Sequence, residues 1–238
     1  MTATAARDPR RRLRELAYRV SPVRSRLDAA GVALTFDDGP DPVFTPRVLD
    51  VLADEQVRAT FFVVGKRVVR HPELVRRIVA EGHAIGSHSF SHVDAGMLSW
   101  LQLLHDYRAG RRAVEQAVGR RVRLFRPPQG HYSGRSAIAV RIAGLRPWLW
   151  TIDAEDWRPG TTPDEVVARA RSLAAGDVLL LHDAMELPLA PEAEDRSATV
   201  TALLELIEPV RERGLEFVTL TDPPARYGPR GAPAAIER

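Results

Sequence analysis

The chain carries aspartates and histidines at spacings that could do hydrolytic chemistry. Asp37 and Asp38 are adjacent and followed by Gly39. Two carboxylates that close repel one another, so a cation or a shared proton is expected beside them. His88 and His92 form a His-x-x-x-His pair. If that segment starts a helical turn, residues i and i+4 share a face with Cβ atoms roughly 6 Å apart, near enough to bind one ion. Position 89 is Ser, so the glutamate of a His-Glu-x-x-His site is absent and any general base must come from elsewhere. With the aspartate pair, the histidines make a two-His, one-carboxylate set that leaves coordination positions open for water and substrate. Arg126 precedes the stiff Pro127-Pro128, and a guanidinium beside a carboxylate would orient it and keep it ionised. His182 emerges from the apolar run 178–181, so its neighbours set its pKa more than water does. A carboxylate such as Asp156 would hold it protonated and aimed, as a general acid requires.

Each of these motifs has an ordinary reading: turn aspartates, a core histidine, a surface arginine. Their placement along the chain argues otherwise. From residue 32, short apolar or β-branched runs alternate with longer segments of helical period. Strands are predicted at Val32–Phe36, Ala59–Val64, Ala84–Ser87, Val122–Phe125, Trp148–Ile152, Val178–Leu181 and Glu216–Leu220, with helices near 45–55, 72–81, 97–118, 135–143, 163–174 and 198–213. This β-then-α order predicts an α/β fold of parallel strands with outer helices, as an open doubly wound sheet or a barrel. Such folds build their sites at the carboxyl ends of the strands. Asp37-Asp38, His88 to His92, Arg126-Pro127-Pro128, Asp153 to Trp157 and His182-Asp183 all fall at predicted strand ends, and so on one rim.

Composition removes several competitors. With no Cys among 238 residues, thiolate zinc sites, iron–sulfur clusters and a Cys nucleophile are excluded. Lys66 is the only lysine and lacks a Gly-rich phosphate loop. The sequence pI of about 9.8 suggests a nucleic-acid binder, but residues 1–30 carry a net +5, leaving −2 for the remainder of a chain whose total is +3. The excess belongs to a basic N-terminal arm, residues 1–29, in which Leu13, Leu16, Ala17 and Val20 fall at amphipathic helical spacing. No nucleic-acid partner is expected; the arm is expected to be a helix packed on the body with a solvated arginine face, and its peripheral contact with an anionic membrane surface is the lesser expectation. No uncharged run approaches the ~18 residues of a membrane span. The chain as written reads as cytoplasmic, or as secreted or membrane-associated if a leader has been trimmed from it. A domain over 30–222 and a loose Pro- and Ala-rich tail over 223–238 complete the organisation.

Taken in order, Thr35–Gly39, His88-x-x-x-His92, Arg126-Pro127-Pro128, Asp153-x-x-Asp156-Trp157 and Leu179-x-Leu181-His182 resemble the five motifs of the polysaccharide deacetylase family, the NodB homology domain of carbohydrate esterase family 4. The resemblance spans roughly residues 30–222. It implies a distorted (β/α)7 barrel and removal of acetyl groups from N-acetylated amino sugars, or in some members from acetyl esters. It also implies a carbohydrate partner and one divalent metal ion, zinc first, with cobalt, nickel or iron as alternatives. By motif position, Asp37 would be the base, Asp38, His88 and His92 the metal ligands, Arg126 the partner of Asp37, and Asp156 the partner of the acid His182. Trp157 and Leu180 would line the acetyl pocket, and the backbone N–H of residue 129 would meet the oxyanion. One position departs from the family pattern: Gln129 stands where an aromatic usually follows Pro-Pro. That removes an aromatic wall for the sugar, with nearby His131 and Tyr132 as lesser substitutes. Two other readings follow, an acetyl esterase or amidohydrolase on a non-polymeric substrate and a non-catalytic carbohydrate-binding pseudoenzyme.

Overall fold

A computed structural model describes residues 21–187 and 190–221. The amphipathic stripe of the arm and the C-terminal tail lie outside these residues. Seven strands, β1 (Ala33–Asp37), β2 (Thr60–Val63), β3 (Ala84–Ser87), β4 (Leu124–Phe125), β5 (Arg146–Pro147), β6 (Ile152–Asp153) and β7 (Val178–His182), form one sheet in the order β5-β4-β3-β2-β1-β7-β6. Every pairing is parallel. The helices are α1 (Phe44–Asp54), α2 (Gly65–Arg70), α3 (Pro72–Ala80), α4 (Trp100–Val118), α5 (Gly134–Ile142), α6 (Pro163–Ala170) and α7 (Ser197–Glu212).

The strand order dictates the shape. β5 and β6 occupy opposite edges of the sheet, yet only residues 148–151 separate them. Five backbone steps reach at most about 18 Å, so the sheet must curl until its edges nearly meet. The predicted strand Trp148–Ile152 is therefore not one strand. Its start completes the β4 side, where the Trp148 N–H donates to Phe125 O (2.8 Å), and its end completes the β7 side, where the Thr151 N–H donates to Val178 O (3.0 Å). The segment closes a distorted barrel of seven parallel strands.

The predicted strand Glu216–Leu220 also differs. β1 is paired with β7 from Ala33 and with β2 from Thr35. Of the 216–220 run, Phe217 alone pairs, in an isolated bridge with Val32 just before β1. Leu220, 1% exposed, instead plugs the barrel interior.

Strand periodicity sorts the side chains. Leu34, Phe36, Phe61, Val63, Leu179 and Leu181 point outward into the core shared with the helices. Ala33, Phe62, Leu124, Trp148 and Val178 fill the inside of the barrel. On β1 and β7 the inward series then turns polar toward the carboxyl ends, through Thr35 to Asp37 and through Leu180 to His182. Residues 21–27, assigned to the arm from sequence, pack on the body. Ser21 is buried, Arg24 bridges Trp148, and Leu27 lies against the interior cluster.

Helix starts follow their caps. Ser99 with Gln102, Ser133 with Ser136 and Thr162 with Glu165 form capping boxes, and Gly119 (φ 68°) ends α4. α4 accordingly begins at Trp100 and not at 97, where a separate 3-10 turn, Ala95–Met97, precedes it. No helix among the described residues is long and apolar enough to cross a membrane.

Candidate active site

β1 delivers Asp37 as its last residue, and Asp38 turns the chain at φ 74°. β3 delivers His88, but the expected helical turn from His88 to His92 is absent. The segment is a loop with left-handed residues at Ser89 (φ 65°) and His92 (φ 58°), and it brings the two rings together at 4.9 Å between centroids. Hydrogen bonds within the motif and from outside it hold it there. Asp106 on α4 accepts from the Ser91 N–H (3.0 Å) and hydroxyl (2.7 Å), Ser89 Oγ accepts from the His92 N–H (3.0 Å), and the N–H groups of Gly65 and Lys66 donate to Ser89 O and Phe90 O at 3.0 Å.

Gly110 on α4 allows this loop to lie where it does, because a Cβ at 110 would stand 2.4 Å from the Ser89 carbonyl carbon and 2.5 Å from its oxygen. Gly110→Ala should therefore push the histidine loop outward. The expected outcome is a loss of about 1–3 kcal/mol in stability from overpacking and weaker uptake of a divalent ion, read by thermal melts and metal titration.

Asp38, His88 and His92 present ligand atoms that all lie within 4.8 Å of one another. His88 Nδ1 sits 2.8 Å from the carbonyl oxygen of Arg126. A carbonyl only accepts, so Nδ1 carries the proton. Burial pushes the His88 pKa below its usual value, which leaves a neutral ring with a lone pair on Nε2. That lone pair faces Asp38 Oδ1 at 3.5 Å and Asp37 Oδ2 at 3.6 Å. Asp38 Oδ1 is buried, accepts no hydrogen bond and stands 3.1 Å from His92 Nε2. Such a buried carboxylate and imidazole lone pair repel unless a proton or a cation stands among them; despite burial, Asp38 raises the His92 pKa so that a proton can serve, and the two-His, one-carboxylate set also fits a divalent metal in its place.

Arg126 is fully buried inside the barrel, 4.3 Å from the Phe62 ring centroid. Its Nη1 donates to Asp37 Oδ1 and Thr35 Oγ1, both at 2.8 Å, and its Nη2 to Leu149 O at 3.1 Å. Thr35 is held in turn, its hydroxyl donating to Leu179 O at 2.6 Å. One Asp37 oxygen is thus fixed by the guanidinium and the other left toward His88.

On the neighbouring strand, His182 Nδ1 lies 2.7 Å from Asp156 Oδ1, and the His182 N–H donates to Asp156 Oδ2 at 2.8 Å. Burial alone would lower the His182 pKa, but the charge and hydrogen bond of Asp156 override it and push the value up to about 9. Asp156 also accepts from the Thr199 hydroxyl (2.8 Å), while Arg196 donates to its backbone carbonyl (2.7 Å). Sequence reasoning does not single out Thr199, Arg196 or Asp106.

The remaining predicted residues occupy the same rim. Gln129 is exposed on a short 3-10 turn at φ 57°. Leu180 is 3% exposed, in register with Thr35 and one inward step below His182. Trp157 is half-buried under the Arg158 guanidinium. Of the substitutes for an aromatic wall, Tyr132 is engaged elsewhere, its hydroxyl donating to Ser21 O (2.7 Å) and its ring packed on the cluster around Leu103 and Tyr107. His131 pairs with Asp94 at 2.7 Å.

A family model described as polysaccharide deacetylase matches residues 24–148. Over 196 residues the chain is 39% identical to the peptidoglycan-N-acetylglucosamine deacetylase of Bacillus cereus, covering 80% of this chain and 86% of that one. Over 211 residues it is 41% identical to the chitooligosaccharide deacetylase of Sinorhizobium fredii, covering 85% and 95%. Among solved structures, a family 4 carbohydrate esterase from Streptomyces lividans in complex with acetate aligns with a TM-score of 0.71 at 29% identity, covering 79% of this chain and 92% of that one.

Proposed function

The chain belongs to the polysaccharide deacetylase family, and from that premise we propose that it removes the N-acetyl group of an N-acetylated amino sugar by metal-dependent hydrolysis, with Asp37 as base and His182 as acid. The observation that carries this reading is a carboxylate and an imidazole held in register, each by a partner of opposite sign. Asp37 and His182 are Cα partners on adjacent parallel strands. A buried guanidinium holds the carboxylate and a buried carboxylate holds the imidazolium, so a proton acceptor and a proton donor stand side by side at the ligand cluster.

One divalent ion held by Asp38, His88 and His92 would acidify water and polarise the acetyl carbonyl. Asp37 takes the proton of the attacking water, and Arg126 holds that carboxylate with its other oxygen turned toward the cluster. The oxyanion is met by the main-chain N–H of Gln129, a contact that needs no particular side chain. Trp157 and Leu180 close around the acetyl methyl. His182 then protonates the departing nitrogen, because an amide anion is too poor a leaving group to depart alone.

The substrate class follows the relatives, which are named for peptidoglycan N-acetylglucosamine and for chitooligosaccharides. Gln129 favours a second reading, an acetyl esterase or amidohydrolase acting on a non-polymeric substrate that needs no aromatic wall. An ester, however, leaves as an alkoxide and depends less on a strong acid, so the Asp156-His182 pair favours the amide. A non-catalytic carbohydrate-binding pseudoenzyme would have lost a ligand, base or acid, and all of these residue types are in place.

A screen of acetate release across chitin oligomers, peptidoglycan fragments, acetylated xylan and a small N-acetyl glycoside, each with zinc, cobalt, nickel or iron, tests the assignment. Acetate with a matching free amine from an N-acetylglucosamine substrate is the expected outcome. Release from acetyl esters alone would transfer the assignment to the esterase reading.

A further inference from the structure

Asp38 has two carboxylate oxygens, and something must decide which of them faces the histidines. Oδ1 is the unpartnered one at His88 and His92, while Oδ2 accepts the backbone N–H of Glu186 at 3.0 Å. Glu186 lies in the loop after β7, four positions beyond His182 and outside every motif. Its side chain is only 5% exposed and forms ion pairs with both Lys66 and Arg67 of α2. Arg67 further donates to Met185 O (3.0 Å) and lies 3.4 Å from Asp41, beyond the Asp38 turn. The guanidinium thus ties the loop after β7 to the loop after β1.

The same short helix secures the other half of the ligand set, since the Gly65 and Lys66 N–H groups hold the Ser89 and Phe90 carbonyls between His88 and His92. A carboxylate this buried needs its cations to be tolerated at all, so Glu186 is fixed to α2, and its N–H is fixed with it.

We propose that Glu186, clamped by Lys66 and Arg67, is a positioning residue for the metal: its backbone N–H occupies Asp38 Oδ2 and so reserves Oδ1 for the ion shared with His88 and His92. This rests on the reading of Asp38, His88 and His92 as a metal site. The hydrogen-bonded partners of metal ligands typically contribute 10- to 100-fold in affinity, by about that factor when one is removed.

The experiment is a zinc titration of the full chain against a competing chelator, with the melting temperature of the metal-free protein measured alongside. Glu186→Ala and Arg67→Met should weaken zinc binding by about 10- to 100-fold, and Arg67→Lys should restore part of it by keeping the charge. Glu186→Gln keeps the shape of the side chain and loses its charge, so it answers the question if the alanine variant does not fold. Glu55→Gln breaks a remote pair with Arg211 (2.8 Å), and should lower the melting temperature without changing zinc affinity. Wild-type affinity in the folded Glu186 variants would overturn the clamp, even with a lowered melting temperature. If the wild-type chain itself takes up no zinc, or takes it up equally well as His92→Ala, the metal-site reading fails and the clamp with it.

Discussion

The Asp37→Asn variant should turn over an N-acetylated substrate about 10²- to 10⁴-fold more slowly, the usual contribution of a positioned base, while still taking up its metal. The change keeps the size of the side chain and removes its ability to take a proton. Asp38, His88 and His92, whose ligand atoms form the cluster, are untouched. The consequence for folding comes through Arg126. Removing one member of a buried ion pair costs about 3–5 kcal/mol when the other charge is left without a partner. Here an asparagine carbonyl can still accept from Nη1, and Thr35 Oγ1, Leu149 O and Trp148 O remain around the guanidinium. The loss should therefore fall at or below the low end of that range, and activity must be expressed per folded molecule. Acetate release, metal stoichiometry and a thermal melt on the same preparation check this. Unchanged turnover would remove Asp37 from its role.

The second large effect concerns pH. As the proposed acid, His182 serves only while protonated, and its pKa of about 9 keeps it so across neutral pH. The alkaline limb of kcat/KM should lie near that value. Asp156→Asn removes the largest of the charges that hold the value up, so burial pulls it down against only the weaker pull of Asp38 and Asp37. The alkaline limb should move to lower pH, with activity lost first at the alkaline end, and His182→Ala should abolish the limb together with most of the turnover. Stability moves with the same pair. A raised folded-state pKa gives a contribution that is complete below the unfolded value of about 6.5 and is lost as pH rises through about 9. The Asp156 pKa is lowered despite its burial, chiefly by the His182 charge, so the same interaction is lost again in acid as that carboxylate protonates. A pH–rate profile and melts over the same range check both signs. An alkaline limb that stays in place in Asp156→Asn would contradict the acid assignment.

The parts legible in the sequence are those with a local signal. The apolar run 178–181 and the β-branched run near 32–36 gave β1 and β7, and their polar ends gave Asp37, Asp38 and His182. The caps at Thr162 and the breaks at Gly119 and Gly214 located helix ends to within a few residues. What was not legible depends on partners far away in the chain. α2 spans six residues, too few for a helical period to show. The alternation in 216–220 is genuine, but whether it forms a strand depends on how much of β1 is left to it, and with β7 paired from Ala33 and β2 from Thr35 it keeps only the bridge at Val32. The 148–152 run is split because it closes the barrel. Its residues complete pairings with strands on both sides. The His88 to His92 loop is shaped by Asp106, Gly65 and Gly110, and Asp156 by Thr199 and Arg196. No spacing within the motifs announces those residues.

The central claim is that this rim is a metal-dependent N-deacetylase site, and the most direct measurement is acetate release from an N-acetylglucosamine oligomer by the purified chain before chelation, after chelation and after return of one equivalent of metal. Acetate and free amine should appear together, both should be lost on chelation, and both should recover on adding the metal back to the wild-type chain but not to Asp38→Ala. Release that survives complete removal of the metal, or no release from any N-acetylated sugar by the metal-loaded protein, would contradict it.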